Sequence, residues 1–405
     1  MTFNAANVTN KRVAVVAAGV ISPLGLGLAE TLESLRTARD CVGPVTRFDV
    51  QACRCQTAAQ VRDEGLQPIT NGSRARRLHP ASNMMIRALH EALDENQNFH
   101  PDLAVIGTTS GGMSFGEQYY RALSTRAPLQ RAPRWIANYS PQKPAVDALE
   151  AFGLECPCQI IANACASGTN AIGHAFHCIR SGKYRRVLAG GYDALCELVF
   201  VGFDSLQAAT PDKCRPFDAD RTGMVLGEGA AVLALEEWNS AQDRGANILA
   251  EITGYGISTD NHHLTQPNPS GIGPRDAMEQ ALRTAGIDES MVDYINAHGT
   301  ATKFNDSAEA KAIRELFPSG PPVSSTKSMM GHSLGAAGAI EAVVCLLAIQ
   351  HSFLPPNINF TRAGEDVDLD IVANQPRSSA VRTAVSNSFG FGGTNASIVL
   401  QTARS

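Results

Sequence analysis

The chain has 405 residues, 44% hydrophobic and 18% charged, with 35 Gly and 21 Pro; this composition supports a large buried core and excludes disordered, collagen-like and low-complexity organisation. Its 34 Lys and Arg stand against 39 Asp and Glu, a net charge of −5, so no global basic field draws it to nucleic acid or to an anionic membrane. An acidic partner would have to be met by a local patch.

The first apolar run, Val13 to Ala29, is interrupted by Ser22, Pro23, Gly25 and Gly27, which excludes a transmembrane helix. It reads as a buried strand followed by a turn. Lys11 and Arg12 precede it, yet the segment runs on into a helical pattern without a cleavage site, which argues against a secretory signal. Ten cysteines are too sparse for a disulfide framework in a chain this long and suit a reducing, cytoplasmic location. The pairs Cys53/Cys55 and Cys156/Cys158 each lack a second pair at zinc spacing, so they read as packed free thiols and no metal site is expected.

Along the chain, RVAVVAAGV, LAVIGT, CQIIAN, RVLAGG, AAVLALE, ILAEITG, DYINAHG, LDIVA, RTAVSN and ASIVL predict short strands. Between them LAETLESLRTAR, ASNMMIRALHEAL, GPRDAMEQALRTAG and NDSAEAKAIRELF predict amphipathic helices, an alternation that indicates an α/β fold. Residues 335–350, GAAGAIEAVVCLLAIQ, have almost no polar face and predict a centrally buried helix.

No linker separates independent domains, but a repeat is visible. An offset of 167 residues (332 − 165) lays Cys165 on His332, Gly168 on Gly335 and Cys178 on Cys345, each on a strand-turn-helix element. Two similar α/β halves are expected, 1–250 with a candidate nucleophile and 251–405 with two candidate histidines.

Cys165, in ANACASGTNAIGHAF, lies where an apolar strand turns into a helix. Unpaired N–H groups and the helix dipole there lower a thiol pKa and favour a nucleophile. His298 ends the strand DYINAHGTAT, with Thr300 and Thr302 beyond it, and His332 lies in SSTKSMMGHSLGAAGA, five residues after Lys327. Each stands at a strand-to-turn junction beside Gly, whereas His79, His90, His100, His174, His177 and His351 read as structural. In SNSFGFGGTNASIVL, Gly390, Gly392 and Gly393 surround Phe391; glycine there permits close backbone approach, but the order is wrong for a dinucleotide fingerprint and no Walker Lys follows.

These segments, Cys165 in ACASG, His298 in NAHGTAT, Lys327 and His332 in STKSMMGHSLGAAGA, and Phe391 in NSFGFGGTN, resemble the motif set of the β-ketoacyl-ACP synthases of the thiolase superfamily. KCRPFDADRTGMVLGEGA, residues 213–230, resembles that family's internal loop. The likeness runs from Val13 to Val399 and is greatest to the elongating enzymes of the synthase II type. It implies a thiolase-like fold, two βαβ halves layered α-β-α-β-α, paired as a homodimer or with a related subunit. It also implies a two-stage condensation in which acyl-carrier protein delivers an acyl group to Cys165 and malonyl-carrier protein then extends it. No cofactor is implied, because substrates arrive on the carrier's phosphopantetheine.

By the same resemblance, His298 and His332 stabilise an enolate, the N–H groups of Cys165 and Phe391 form an oxyanion hole, and the glycines beside Phe391 shape its gate. Lys327 orients the histidines with Glu309 and Asp306 as accompanying carboxylates; for Asp306 a helix-capping role is an equal alternative. Thr300 and Thr302 bind pantetheine, Ser110 and Phe203 line the acyl pocket, and Arg74, Arg76 and Arg77 dock the acidic carrier, with Arg126, Arg131 and Arg134 a second basic cluster. Ser110 stands where relatives carry a branched aliphatic gate, which implies a wider passage. Asn296, Glu341, Ser386 and Asn387 match positions that hold a monovalent cation in some relatives. A thiolase would need a second Cys in the C-terminal glycine loop, and a chain-length-factor-like partner would lack the nucleophile. A ketosynthase of a specialised polyketide or aryl-polyene pathway keeps every motif and stands as the alternative.

Overall fold

The computed structural model describes residues 10–69, 78–94, 96, 98–126 and 132–403. Nine of the ten expected strands enter one ten-stranded sheet. Its strands are β1 (Val13–Ile21), β2 (Leu103–Gly107), β3 (Cys158–Ile161), β4 (Arg186–Asp193), β5 (Gly229–Glu237), β6 (Ala250–Thr259), β7 (Tyr294–Asn296), β8 (Val323–Ser324), β9 (Thr383–Gly390) and β10 (Thr394–Gln401). LDIVA is the exception: it contributes only isolated bridges, Val323 with Ile371 and Asn357 with Ala373, while the two-residue β8 was not anticipated.

The spatial order is β8-β7-β9-β10-β6-β1-β5-β4-β2-β3. Read outward from the antiparallel β1–β6 pair, each side repeats one connectivity, so β1, β2, β3, β4 and β5 correspond to β6, β7, β8, β9 and β10. Parallel pairs lie at both outer edges and antiparallel pairs towards the centre. The repeat seen at an offset of 167 is therefore present in the topology.

Helix α1 (Pro80–Asp94) covers β1 and β5, and α3 (Ile272–Ala285) covers β6 and β10. Between the halves, α2 (Ser167–Arg180) and α5 (Ala337–His351) pack on each other and on strands of both sides, giving the α-β-α-β-α layering. Helix α4 (Lys303–Leu316) lies beside α3. Every residue from Ala337 to Ile349 is buried, as its lack of a polar face predicts; each fully buried Leu, Ile or Val contributes roughly 1.5–3 kcal/mol. The helical stretch Leu334–His351 is long and apolar enough to cross a membrane, but 89% of it is buried inside the protein. The helices meet through Gly168 and Gly335, equivalent in the repeat: a Cβ on Gly168 would lie 2.8 Å from the Gly335 carbonyl oxygen.

Candidate active site

Cys165 is presented by the turn between β3 and α2. The preceding Ala164 has φ 55°, a left-handed conformation that costs an L-residue roughly 1–2 kcal/mol. Its carbonyl is held by the Ser167 N–H at 3.1 Å, the Ser167 hydroxyl at 2.6 Å and the Thr109 hydroxyl at 3.2 Å. At the repeat offset, Gly331 precedes His332 with φ 67°. A residue of positive φ thus precedes the thiol in one half and an imidazole in the other.

The expectation that the helix terminus lowers the Cys165 pKa is overturned. Burial pushes the thiol up to about 11, and the Lys327 charge and the N–H groups of Phe391 and Cys165 itself oppose this only in part. With 5% exposure, desolvation of the thiolate outweighs the helix terminus. The resting thiol therefore keeps its proton near neutral pH.

His298 is fixed through its backbone. Its N–H and that of Gly299 donate to the two oxygens of Glu309, both at 2.8 Å, and the Asn387 amide donates to the same carboxylate at 3.2 Å. The N–H of His332 donates to the Val225 carbonyl at 2.7 Å, and its carbonyl accepts from Gly227 at 2.9 Å. This ties the His332 turn to the 213–230 loop. The two rings stand 5.3 Å apart at 85°. Burial and the positive charge of Lys327 hold both imidazoles well below their usual pKa, His298 further so beside His332, and they are neutral. Both ring nitrogens of His332 and Nδ1 of His298 are buried without a partner among the described residues.

Lys327 pairs with Glu341, both fully buried, and not with Glu309 or Asp306 as expected. Glu309 holds the His298 backbone, while Asp306 accepts the Phe217 N–H at 2.7 Å and the Asn305 amide at 3.1 Å. Asp306 therefore anchors the 213–230 loop, and helix α4 begins after Thr302 without a side-chain cap. Burial raises Asp306 to about 6 and Glu309 and Glu341 each to about 7. The Thr300 and Thr302 hydroxyls lie 2.9 Å apart.

Cys165, His298, His332, Thr300, Thr302, Gly390, Phe391 and Gly393 line one cavity of about 330 Å³. Phe391, Gly392 and Gly393 form the tip of the β9–β10 hairpin, closed by the Gly390–Thr394 pair, with φ 84° at Gly392 and 77° at Gly393. This is a conformation that favours glycine. Phe203 does not line the cavity; its ring packs on Phe391 at 5.4 Å. Ser110 is not among the residues lining this cavity; its N–H and hydroxyl are both given to Asp193, at 2.8 and 2.7 Å. Asp193, buried at the end of β4, had no signal in the sequence. Arg74, Arg76, Arg77 and Arg131 lie outside the described residues.

Asn296 Oδ1 and Glu341 Oε2 are buried without a hydrogen-bond partner among the described residues, while Ser386 interacts with the Cys345 thiol. Asn387 is occupied by Glu309, Met278 and Ser397. All ten cysteines are free thiols. His79 is structural: its Nδ1 accepts from Ala81 and its Nε2 meets Ser114.

With this geometry in place, comparison with known proteins is direct. The beta-ketoacyl synthase N-terminal domain matches residues 10–241 and the C-terminal domain residues 249–361. Proteins named 3-oxoacyl-[acyl-carrier-protein] synthase 2 from Coxiella burnetii and Synechocystis are 39% and 36% identical, over 96% and 98% of this chain and 98% and 99% of their own lengths. The ishigamide ketosynthase/chain length factor superposes with TM-score 0.90 at 34% identity, covering 98% of this chain and 100% of that one. A type II polyketide ketosynthase in complex with its acyl-carrier protein gives 0.88 at 28%, over 98% and 100%. The two domain matches, with near-complete coverage by relatives of this identity and by ketosynthases of thiolase-like fold, show that the chain belongs to the beta-ketoacyl synthase family.

Proposed function

We propose that the protein condenses acyl-carrier-bound acyl groups with malonyl-carrier protein, with loss of CO₂, to give 3-oxoacyl-carrier protein in fatty-acid elongation. The observation that carries this reading is the pair of buried, neutral imidazoles with unpartnered ring nitrogens on the same cavity as a desolvated thiol.

In the first stage Cys165 Sγ attacks the acyl thioester. A new S–C bond forms, the carrier's S–C bond breaks, and the thiol proton leaves with the pantetheine sulfur. The N–H groups of Cys165 and Phe391 receive the tetrahedral oxyanion; one such donor is worth ~2.7–4 kcal/mol. In the second stage malonyl thioester loses CO₂, and the resulting enolate oxygen accepts N–H bonds from His298 and His332. Its carbon attacks the acyl-Cys165 carbonyl, a C–C bond forms, and Cys165 leaves as the thiolate and is reprotonated. Neutral imidazoles suit this step because enolate charge needs donors rather than a strong base. Burial and the Lys327 charge keep them neutral, Thr300 and Thr302 hydrogen-bond the pantetheine arm, and Phe391 gates the cavity.

Arg74, Arg76 and Arg77 as a carrier-docking patch, a homodimeric or heterodimeric assembly, a cytoplasmic location, and a nucleophile half (1–250) facing a histidine half (251–405) belong to the same reading. The direct test is a reconstitution with purified acyl- and malonyl-carrier protein: one CO₂ and one 3-oxoacyl-carrier per turnover supports the reading, and absence of both with every acyl length rejects it.

The superposition on the ishigamide ketosynthase/chain length factor favours a second reading, a ketosynthase of a specialised polyketide or aryl-polyene pathway. Without a ketoreductase, the elongation reading predicts a single extension. Repeated extension to a poly-3-oxo chain would favour the second.

A further inference from the structure

Resting on that reading, we infer that Asp193 is a positioning residue that holds the Cys165 turn and the His332 turn in register. The two groups that must act on one acyl carbon come from different halves of the chain, so something has to fix their separation. Asp193, 1% exposed, touches the segment after His332 directly and reaches the Cys165 turn through the loop after β2. Its Oδ1 accepts from the Ser110 N–H at 2.8 Å, the Ser110 hydroxyl at 2.7 Å and the Thr108 hydroxyl at 2.9 Å. Its Oδ2 accepts from the Thr109 N–H at 2.9 Å and the Gly335 N–H at 2.7 Å.

Each contact leads to a reacting element. Thr109, clamped through its N–H, donates its hydroxyl to the carbonyl of Ala164, the strained residue that aims Cys165. Gly335 lies three residues beyond His332 at the entry to α5, where a Cβ would fall 2.7 Å from Asp193 Oδ2. One carboxylate thus joins the loop after β2, which holds the nucleophile turn, to the segment after His332.

The chemistry requires a carboxylate. Both oxygens face backbone N–H groups, and only an ionised carboxylate accepts on both sides. An Asn in either amide orientation would set an NH₂ against at least one backbone donor. The negative charge also faces Cys165, where it opposes Lys327 and raises the thiol's affinity for its proton; the other titratable groups on that cavity are His298, His332, Asp260 and Lys303.

The test compares Asp193→Asn and Thr109→Val in the full chain with wild type. It reads single-turnover acylation of Cys165 and its KM for acyl carrier, malonyl decarboxylation, and the pH midpoint of Cys165 alkylation by iodoacetamide. Asp193→Asn is expected to slow acylation roughly 10- to 100-fold, the scale of a 1 Å misplacement, with KM unchanged and the alkylation midpoint moved to lower pH. Thr109→Val, which cuts only the link to Ala164, is expected to slow acylation several-fold while leaving the midpoint and decarboxylation at wild-type values. Wild-type acylation in both variants, or in Thr109→Val alone if Asp193→Asn does not fold, overturns the inference, even if melting temperature falls. Alkylation uses no carrier substrate, so a wild type that condenses nothing would reject the proposed function while the midpoint shift still reports on Asp193.

Discussion

His298 and His332 stand edge to face, with ring centroids 5.3 Å apart at 85°, and the Lys327 charge bears on both. Two imidazoles this close and this desolvated are held neutral, which leaves each an N–H to offer an enolate oxygen.

Loss of one ring should separate the half-reactions. His298→Ala is expected to accept an acyl group on Cys165 at close to the wild-type rate but to lose condensation by about 10²–10³, the worth of one oxyanion donor. Intact-mass detection of the acyl-enzyme alongside CO₂ release checks this. Lost acylation with normal decarboxylation would reverse the assignment.

Lys327 is expected to act through charge. Lys327→Met removes the positive field that holds the imidazoles down, so their pKa values rise and the acid limb of kcat moves to higher pH. It also leaves Glu341 buried alone, at a cost of about 3–5 kcal/mol. Adding Glu341→Gln should recover part of that stability without restoring the pH profile. Chemical denaturation and a pH–rate profile measure the two effects separately.

The reacting groups were legible in the sequence because each lies in a short local pattern: a small-residue turn at Cys165, a strand-ending His-Gly at His298, and the repeat that equates Cys165 with His332. What links them was not. Asp193 meets Gly335 across 142 residues, and Glu341 rather than Glu309 reaches Lys327 because α5 runs through the core beneath it. The Cys165 pKa was misjudged for a related reason, since a helix terminus is visible locally whereas burial depends on the whole fold. LDIVA has strand composition but meets its neighbours only through isolated bridges; β8, at two residues, is too short to show periodicity.

Glu309 sets a pH dependence of stability. Its folded pKa, about 7, lies above the ordinary 4.5, so its contribution is fully present below about pH 4.5 and is lost as pH rises through about 7. Glu309→Gln removes the titration, at a pH-independent cost from setting its NH₂ against the N–H of His298 or Gly299. Its stability relative to wild type is expected to improve by on the order of 1–3 kcal/mol between pH 5 and pH 8, read from denaturation at both values. A pH-independent difference would mean that Glu309 stays ionised throughout.

Ser110 is expected to act on the scaffold rather than on acyl length. Ser110→Ile removes the 2.7 Å bond to Asp193 and adds bulk beside a buried carboxylate, at about 1–3 kcal/mol. Activity should fall to a similar extent for short and long acyl carriers. A selective loss of the longest chains would place Ser110 on the acyl path.

The most direct measurement of the central claim is peptide-resolved mass spectrometry of the enzyme after brief exposure to acyl-carrier protein without malonyl-carrier protein. One acyl group on the Cys165 peptide, absent in Cys165→Ala and discharged as 3-oxoacyl product when malonyl-carrier protein is added, is the predicted result. Acylation of another cysteine, or condensation proceeding undiminished in Cys165→Ala, would contradict it.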